Sequence, residues 1–374
     1  MKKKNLIVFG TRPEAIKMAP LVKAFLNEDC FDTKVCVTAQ HREMLDQVLD
    51  FFEITPDYDL DVMKPNQNLY SLTATIIEGM KPVLEEVQPD YVYVHGDTTT
   101  SMAVGIAGFY AGAKVCHVEA GLRTYDRQYP FPEEFNRQLT GRIADYHFAP
   151  TKGSKENLLQ ERTDEKSILV TGNTVIDALL FGIDKVTSTG YSDAEIDMLT
   201  SKVDLSKKII LVTGHRRENH GEGLMNICTA LKNVAEAYPN TQIIYPVHLN
   251  PNVKGPVHEL LAGVTNILLV PPLAYPAFIW LMEKSYLIIT DSGGIQEEAP
   301  SLGKPVLVTR TTTERPEAVA EGTVLLVGTD IEEITSKTKQ LLDDETYYAS
   351  MSELHNPYGD GKSVARIVDF IKAL

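Results

Sequence analysis

The run Tyr286-Leu287-Ile288-Ile289-Thr290-Asp291-Ser292-Gly293-Gly294-Ile295-Gln296-Glu297-Glu298-Ala299-Pro300 decides how the chain is read. Tyr286 to Thr290 is an apolar, β-branched stretch that predicts a buried strand. Two glycines then open a predicted helix. The first backbone N–H groups of a helix have no internal partner and carry partial positive charge, so this start suits phosphate. Glu298 falls four residues after Gly294, on the same helix face one turn deeper, where a carboxylate can accept hydrogen bonds from a ribose. The stretch therefore points to a nucleoside diphosphate with its sugar exposed. An ordinary strand–turn–helix, with glycines only for the bend, accounts for the same residues.

The strand–turn–helix pattern repeats outward from this point. Strands are predicted at 6–9, 34–38, 91–95, 114–118, 146–149 and 168–171, and again at 209–213, 242–246, 266–270, 287–290, 305–309 and 323–327. Continuous apolar strands separated by amphipathic stretches mean parallel sheets covered on both faces. Two series of six predict an α/β protein of two Rossmann-like, doubly wound domains facing a central cleft. The 374-residue length agrees with two domains. The polar segment from Asp177 to Lys208 is the expected boundary region. Asn356-Pro357-Tyr358-Gly359-Asp360-Gly361 is a turn cluster before a last helix, 363–374.

Composition narrows the function. With 43% hydrophobic and 23% charged residues the chain is globular, and its net charge of −15 disfavours nucleic acid or an anionic membrane as partner. Cys30, Cys36, Cys116 and Cys228 form no C-x-x-C pair, and they read as reduced core or near-core residues. The apolar run after Met1-Lys2-Lys3-Lys4-Asn5 stops at Phe9, too short for a signal peptide. No stretch approaches the ~18 apolar residues of a membrane span. A cytoplasmic protein is expected.

Residues able to carry chemistry cluster at the predicted strand ends, around which ligands bind in such folds. The first strand ends in Gly10-Thr11-Arg12-Pro13-Glu14-Ala15-Ile16-Lys17. Pro13 suits a first helical turn, and Arg12 and Lys17 are either anion contacts or a solvated basic pair. The absence of G-x-G-x-x-G here argues against a dinucleotide. Asp97, in His95-Gly96-Asp97-Thr98, is either a functional carboxylate or a helix cap. Glu119, in His117-Val118-Glu119-Ala120-Gly121, again stands at a strand end. The following segment reaches Pro132-Glu133-Glu134 and reads as a mobile flap with two carboxylates; helix N-terminal charge explains one of them equally well. His215, in Thr213-Gly214-His215-Arg216-Arg217, is expected on the same cleft as Asp97 and Glu119. Arg315-Pro316-Glu317 echoes Arg12-Pro13-Glu14 and supplies a cation from the other domain. There is no metal constellation, nucleophile elbow or P-loop. Acid/base chemistry on a nucleotide-bound substrate, with the leaving diphosphate held by cations, fits this inventory.

These blocks, with Thr38-Ala39-Gln40-His41-Arg42, Thr171-Gly172-Asn173-Thr174, Tyr245-Pro246-Val247-His248 and Thr313–Glu317, give the chain a nearly end-to-end resemblance to the bacterial non-hydrolysing UDP-N-acetylglucosamine 2-epimerases. The resemblance implies a glycosyltransferase-B-type fold, with residues 1–171 and the last helix 362–374 in one domain and 172–361 in the other. It implies reversible conversion of UDP-GlcNAc to UDP-ManNAc with no cofactor, neither NAD nor an essential metal, feeding cell-surface polysaccharide synthesis, and it implies a homodimer. It assigns Asp97, Glu119, Glu133 and His215 to catalysis. Arg12, Lys17, Phe278, Ser292, Gly293, Gly294, Glu298 and Arg315 go to UDP. Gln40, His41, Arg216 and His248 go, with Glu133, to a second, activating UDP-GlcNAc. Leu273 stands where some relatives have glutamine; Glu43 and Asn66 stand where some have glutamine and arginine. The same fold also serves UDP-sugar transferases, and a hydrolysing epimerase or a non-catalytic nucleotide-sugar sensor would bind the same ligand. Charge-neutral substitution of the three carboxylates separates a sensor, which survives it, from an enzyme.

Overall fold

A computed structural model describes residues 2–39, 42–63 and 67–374, with backbone alone for Arg42 and Glu43. The chain divides into two compact units, Met1–Ala178 with Gly359–Leu374, and Leu179–Tyr358. The helix Thr174–Val186 begins in the first and ends in the second.

The first unit holds a sheet of β1 (Lys3–Phe9), β2 (Phe31–Val37), β3 (Tyr58–Asp59), β4 (Tyr91–His95), β5 (Lys114–Val118), β6 (Tyr146–Ala149) and β7 (Ile168–Val170). Their order is β3-β2-β1-β4-β5-β6-β7. The second unit holds β8 (Lys208–Thr213), β9 (Thr241–Pro246), β10 (Ile267–Val270), β11 (Leu287–Thr290), β12 (Val306–Val308) and β13 (Val324–Leu326), in the order β10-β9-β8-β11-β12-β13. Every pairing is parallel. The expected two parallel-sheet α/β domains are therefore present, with one strand more than anticipated. β3 is two residues long and pairs only Cys36 with Tyr58 and Val37 with Asp59, too short to leave an apolar run in the sequence.

Both sheets reverse their winding between a central pair, β1 and β4 in one and β8 and β11 in the other. Loops after these strands diverge to opposite sides of the sheet, which opens a crevice at the carboxyl ends. The strands hold their places through cores on the sheet faces. Helix Leu69–Val87 repeats apolar residues at 72, 76, 80, 83, 84 and 87, a single helical stripe, and buries them against Leu6, Val8, Val92 and Val94. Helix Glu222–Ala237 does the same with Leu224, Ile227, Leu231 and Val234 against Ile210, Val212 and Ile243.

The last helix, Ser363–Ala373, belongs to the first unit. Its first N–H groups, on Ser363 and Val364, donate to the Asp177 carboxylate at 3.2 and 3.0 Å. The Phe370 ring meets Tyr146 and Phe148 edge-on, centroids 5.5 and 5.8 Å apart. Among the described residues no helix is long and apolar enough to cross a membrane.

Candidate active site

In the first unit the turn after β1 is built by Glu14. Thr11 caps helix Arg12–Leu26, and Glu14 closes a reciprocal capping box, its Oε2 accepting from Gly10 N at 3.0 Å and Thr11 N at 2.8 Å. Its other oxygen accepts from Thr98 Oγ1 at 2.6 Å and Ser101 Oγ at 3.1 Å. Glu14 thus ties the β1 turn to the β4 turn. Gly10 is required by space: a Cβ there would stand 2.0 Å from Thr38 Oγ1 and 2.6 Å from Thr100 Oγ1.

This frame presents Lys17, one turn into the helix. Its Nζ pairs with Glu119 Oε2, and the two side chains are only 16% and 8% exposed, so Lys17 is not a solvated surface cation. Glu119 follows β5 in the left-handed region, φ 62. That conformation costs a non-glycine residue roughly 1–2 kcal/mol and is often tolerated where a side chain must be aimed. Oε2 also accepts from Asn173 Nδ2 at 2.7 Å, and His95 Nε2 lies 3.8 Å away. Burial lowers the His95 imidazole to about 4, so it stands there neutral.

Asp97 lies beyond Gly96, whose φ of 63 lets the chain bend at the end of β4. The helix that starts here is capped by Thr98, which accepts from Ser101 N at 3.0 Å, so the capping role considered for Asp97 belongs to its neighbour. Asp97 Oδ2 instead takes Arg137 Nη2, and Asn136 Nδ2 donates to its carbonyl at 3.0 Å. Burial raises the Asp97 carboxyl above its ordinary value, with Arg137 pulling it back.

The pair Glu133 and Glu134 divides. Both begin helix Glu133–Ile143, but Glu134 is fully buried. It accepts from Thr124 N and Tyr125 N, both at 3.0 Å, and from Gln138 Nε2 at 2.7 Å. The reading of a mobile flap with two carboxylates therefore fails for Glu134, which pins the loop down. Glu133 stands half-buried at the helix start.

In the second unit β8 and β11 end side by side, Thr213 opposite Thr290. Their loops are joined by Asp291, which is 1% exposed and accepts from His215 N at 2.9 Å and Arg216 N at 2.8 Å. The His215 ring stacks on that of exposed His248, centroids 5.7 Å apart, with Arg216 beside it in the chain. Of the residues assigned to a second nucleotide sugar, Arg216 and His248 each adjoin His215, while Gln40 and His41 lie outside the described residues. So does Asn66, and the Glu43 side chain with it.

The helix start anticipated at Ser292 is present: Ser292 precedes helix Gly293–Glu298, with no side-chain capping bond. The helix has six residues, so its free N–H groups rather than a long dipole are what it offers an anion. The Arg315 guanidinium lies beside it, its carbon 3.7 Å from where a Gly293 Cβ would be. Arg315 is held by Glu297, and its backbone N–H donates to Thr313 Oγ1 at 3.0 Å. Glu298 is buried below the glycines, its Oε2 3.9 Å from a Cβ at Gly294. Phe278 is half-buried on helix Tyr275–Lys284, and Arg12 half-buried at the start of its own helix.

Three partners were not anticipated as site residues: Arg137, Asn173 and Asp291. Arg137 had a local signal, standing one helical turn after Glu133. The others are long-range pairings.

The sequence model of the family described as UDP-N-acetylglucosamine 2-epimerase matches residues 23–372. A protein of that name from Yersinia pestis is 59% identical over 99% of this chain and 98% of its own length. One from Escherichia coli K12 is 57% identical over the same shares. The crystal structure of the Neisseria meningitidis UDP-GlcNAc 2-epimerase bound to UDP-GlcNAc is 51% identical, covers 99% of this chain and 100% of that one, and superposes with a TM-score of 0.89. A family match spanning nearly the whole sequence, over two sheets that bring carboxylates and cation-flanked glycines to their strand ends, shows that the chain belongs to the UDP-N-acetylglucosamine 2-epimerase family and is, as such, an isomerase.

Proposed function

We propose that the chain interconverts UDP-GlcNAc and UDP-ManNAc by eliminating UDP and adding it back, with Asp97, Glu119, Glu133 and His215 acting on the substrate. The C2 hydrogen of the sugar is not acidic, because C2 has no neighbouring carbonyl in the ring. A free carbanion is therefore avoided. The C1–O bond to UDP breaks as a carboxylate takes the C2 proton, the electron pair forms a C1=C2 double bond, and 2-acetamidoglucal and UDP result. A proton delivered to the opposite face of C2, with UDP re-adding at C1, gives the epimer. The leaving diphosphate is stabilised by the N–H groups at Ser292–Gly294 with Arg12, Lys17, Arg315 and His215, while Glu298 takes the ribose and Phe278 the base. A carboxylate near C1 helps the oxocarbenium-like transition state.

The observation that carries this reading is the environment of Glu119. A carboxylate on a left-handed backbone, flanked by Lys17, Asn173 and a neutral His95, is aimed by its surroundings rather than left to solvent. Asp97, raised by burial, is suited to hold a proton. Exchange at two faces of C2 needs two such groups of unlike affinity.

The test is proton NMR with UDP-GlcNAc in D2O and no added NAD or metal. UDP-ManNAc carrying deuterium at C2 supports the reading. Free ManNAc with UDP means hydrolysis instead. Unchanged substrate despite binding sinks it and favours a transferase or a sensor.

Three finer assignments belong to the same reading. Arg216 and His248, with Gln40 and His41, bind a second UDP-GlcNAc as activator; a hyperbolic rate curve, in place of a sigmoidal one, would count against it. The chain forms a homodimer through the first unit, supported by exposed Tyr110, with the exposed Phe109 ring against it, in a groove also lined by Ile77, Leu84 and Ala107. Sedimentation at micromolar concentration should give twice the 41.5 kDa chain mass. Cys36, Cys116 and Cys228 are free and buried and Cys30 free and exposed, which suits a reducing cytoplasm.

A further inference from the structure

Asp291 does more than join two loops. Its Oδ2 takes the N–H groups of His215 and Arg216 and lies 3.4 Å from Asn219 Nδ2, but its Oδ1 has no hydrogen-bond partner in a residue only 1% exposed. A buried carboxylate oxygen left without a donor is costly. The His215 ring nitrogen Nδ1 stands 3.4 Å from it. A small ring rotation turns that separation into a hydrogen bond, which fixes the proton on Nδ1 and leaves Nε2 on the far side of a half-exposed imidazole.

We propose that Asp291 is a positioning residue for His215, holding the Nδ1–H tautomer and favouring the imidazolium, so that Nε2 can meet a ligand phosphate as a charged donor. The proposal rests on the assignment of His215 to the nucleotide sugar. The charged and titratable groups facing the ring are Asp291, Arg216 and the stacked His248. Burial, Arg216 and His248 all push the imidazole below its ordinary value, and Asp291 alone pulls it up. The imidazole lies below its ordinary value even with Asp291 in place, so without Asp291 the ring would be harder still to protonate beside a diphosphate and would have lost its orientation.

The test is an NMR titration of His215 in the full chain without substrate, in wild type and Asp291→Asn. Asparagine keeps an acceptor for the two backbone N–H groups, so the loop is retained. The expected result is the Nδ1–H tautomer in the wild type and an imidazole pKa about one unit or more lower in the variant. In turnover, kcat/KM of the variant should fall about tenfold or more at neutral pH, with the deficit shrinking as pH falls. An unchanged His215 titration overturns the proposal. So does an Nε2–H tautomer in the wild type, a reading that stands even if Asp291→Asn fails to fold. Because the titration uses no substrate, inactivity on UDP-GlcNAc would discredit the function without touching this pair.

Discussion

Lowering the pH from 7 to 5.5 should cost the first unit about 4 kcal/mol of stability through three buried histidines. His95, His117 and His147 lie on β4, β5 and β6 and are 3%, 0% and 1% exposed. Burial lowers them to about 4, about 3 and about 4 respectively, and a hydrogen bond from His117 Nε2 to Gly96 O at 2.7 Å only partly resists the shift. In the unfolded chain each takes a proton near 6.5, but in the folded chain each refuses it until about pH 4 or below. Protonation therefore favours unfolding. Their stability is full above pH 6.5, is lost as pH falls toward 4, and falls no further below that. At pH 5.5 the loss is ~1.4 kcal/mol for each histidine and ~4 for three, against a typical total of about 5–15 kcal/mol. Asp97 and Glu14, raised by burial, act in the opposite direction, so a histidine variant is needed to separate the histidine part. Hydrogen exchange of peptides from β4 to β6 measures it, and His117→Gln should remove about a third of the pH-dependent part whatever it does to absolute stability. Protection that is flat from pH 7 to 5.5, or a slope His117→Gln leaves intact, would refute the reasoning.

Asp97→Asn and Glu119→Gln should each lower kcat by about 10²–10⁴-fold. Calorimetry should find UDP affinity changed far less, and loss of both together would instead mean a collapsed site. Gly10→Ala drives a methyl to 2.0 Å from Thr38 Oγ1 and should cost about 1–3 kcal/mol or more, with Thr38→Ala restoring part of the melting temperature. Arg310, 5% exposed, donates to Glu218 at 2.6 Å and to Glu314 at 2.7 and 3.1 Å, so it clamps the His215–Arg216 loop to the loop that carries Arg315. Arg310→Gln leaves two carboxylates facing one another without their cation. Denaturation should show a loss of about 1–3 kcal/mol, because both carboxylates keep contact with water, and steady-state kinetics a raised KM; rescue by Arg310→Lys would contradict the bidentate argument.

The sheets were legible because parallel strands buried on both faces must be apolar throughout, and Leu287 to Thr290 or Val92 to Val94 can hardly be anything else. The strand ends were legible for the same reason: a polar residue just past such a run, such as Glu119 or Asp291, stands at the sheet's edge. Adjacent residues were harder to tell apart. Asp97 and Thr98 both suit a helix cap, and it is backbone direction that gives the role to Thr98. Glu133 and Glu134 differ by 100° around one helix, and the nearby Thr124 and Tyr125 N–H groups decide which of them turns inward.

What the sequence withheld was partnership at distance. Lys17 and Glu119 are 102 residues apart, Asn173 and Glu119 are 54, and His215 N and the Asp291 carboxylate are 76. Each pair meets because parallel winding brings the carboxyl ends of strands distant in sequence to one edge of the sheet, β1, β5 and β7 in the first unit and the adjacent β8 and β11 in the second, and not through any local pattern. That winding also explains why a carboxylate recurs beside a basic residue at both switch points. Where two strand ends diverge, backbone N–H groups are left over, and a buried carboxylate is the side chain that can satisfy several at once. Glu14 does this in the first unit and Asp291 in the second. Only Asp291 keeps an oxygen to spare, and that oxygen faces His215.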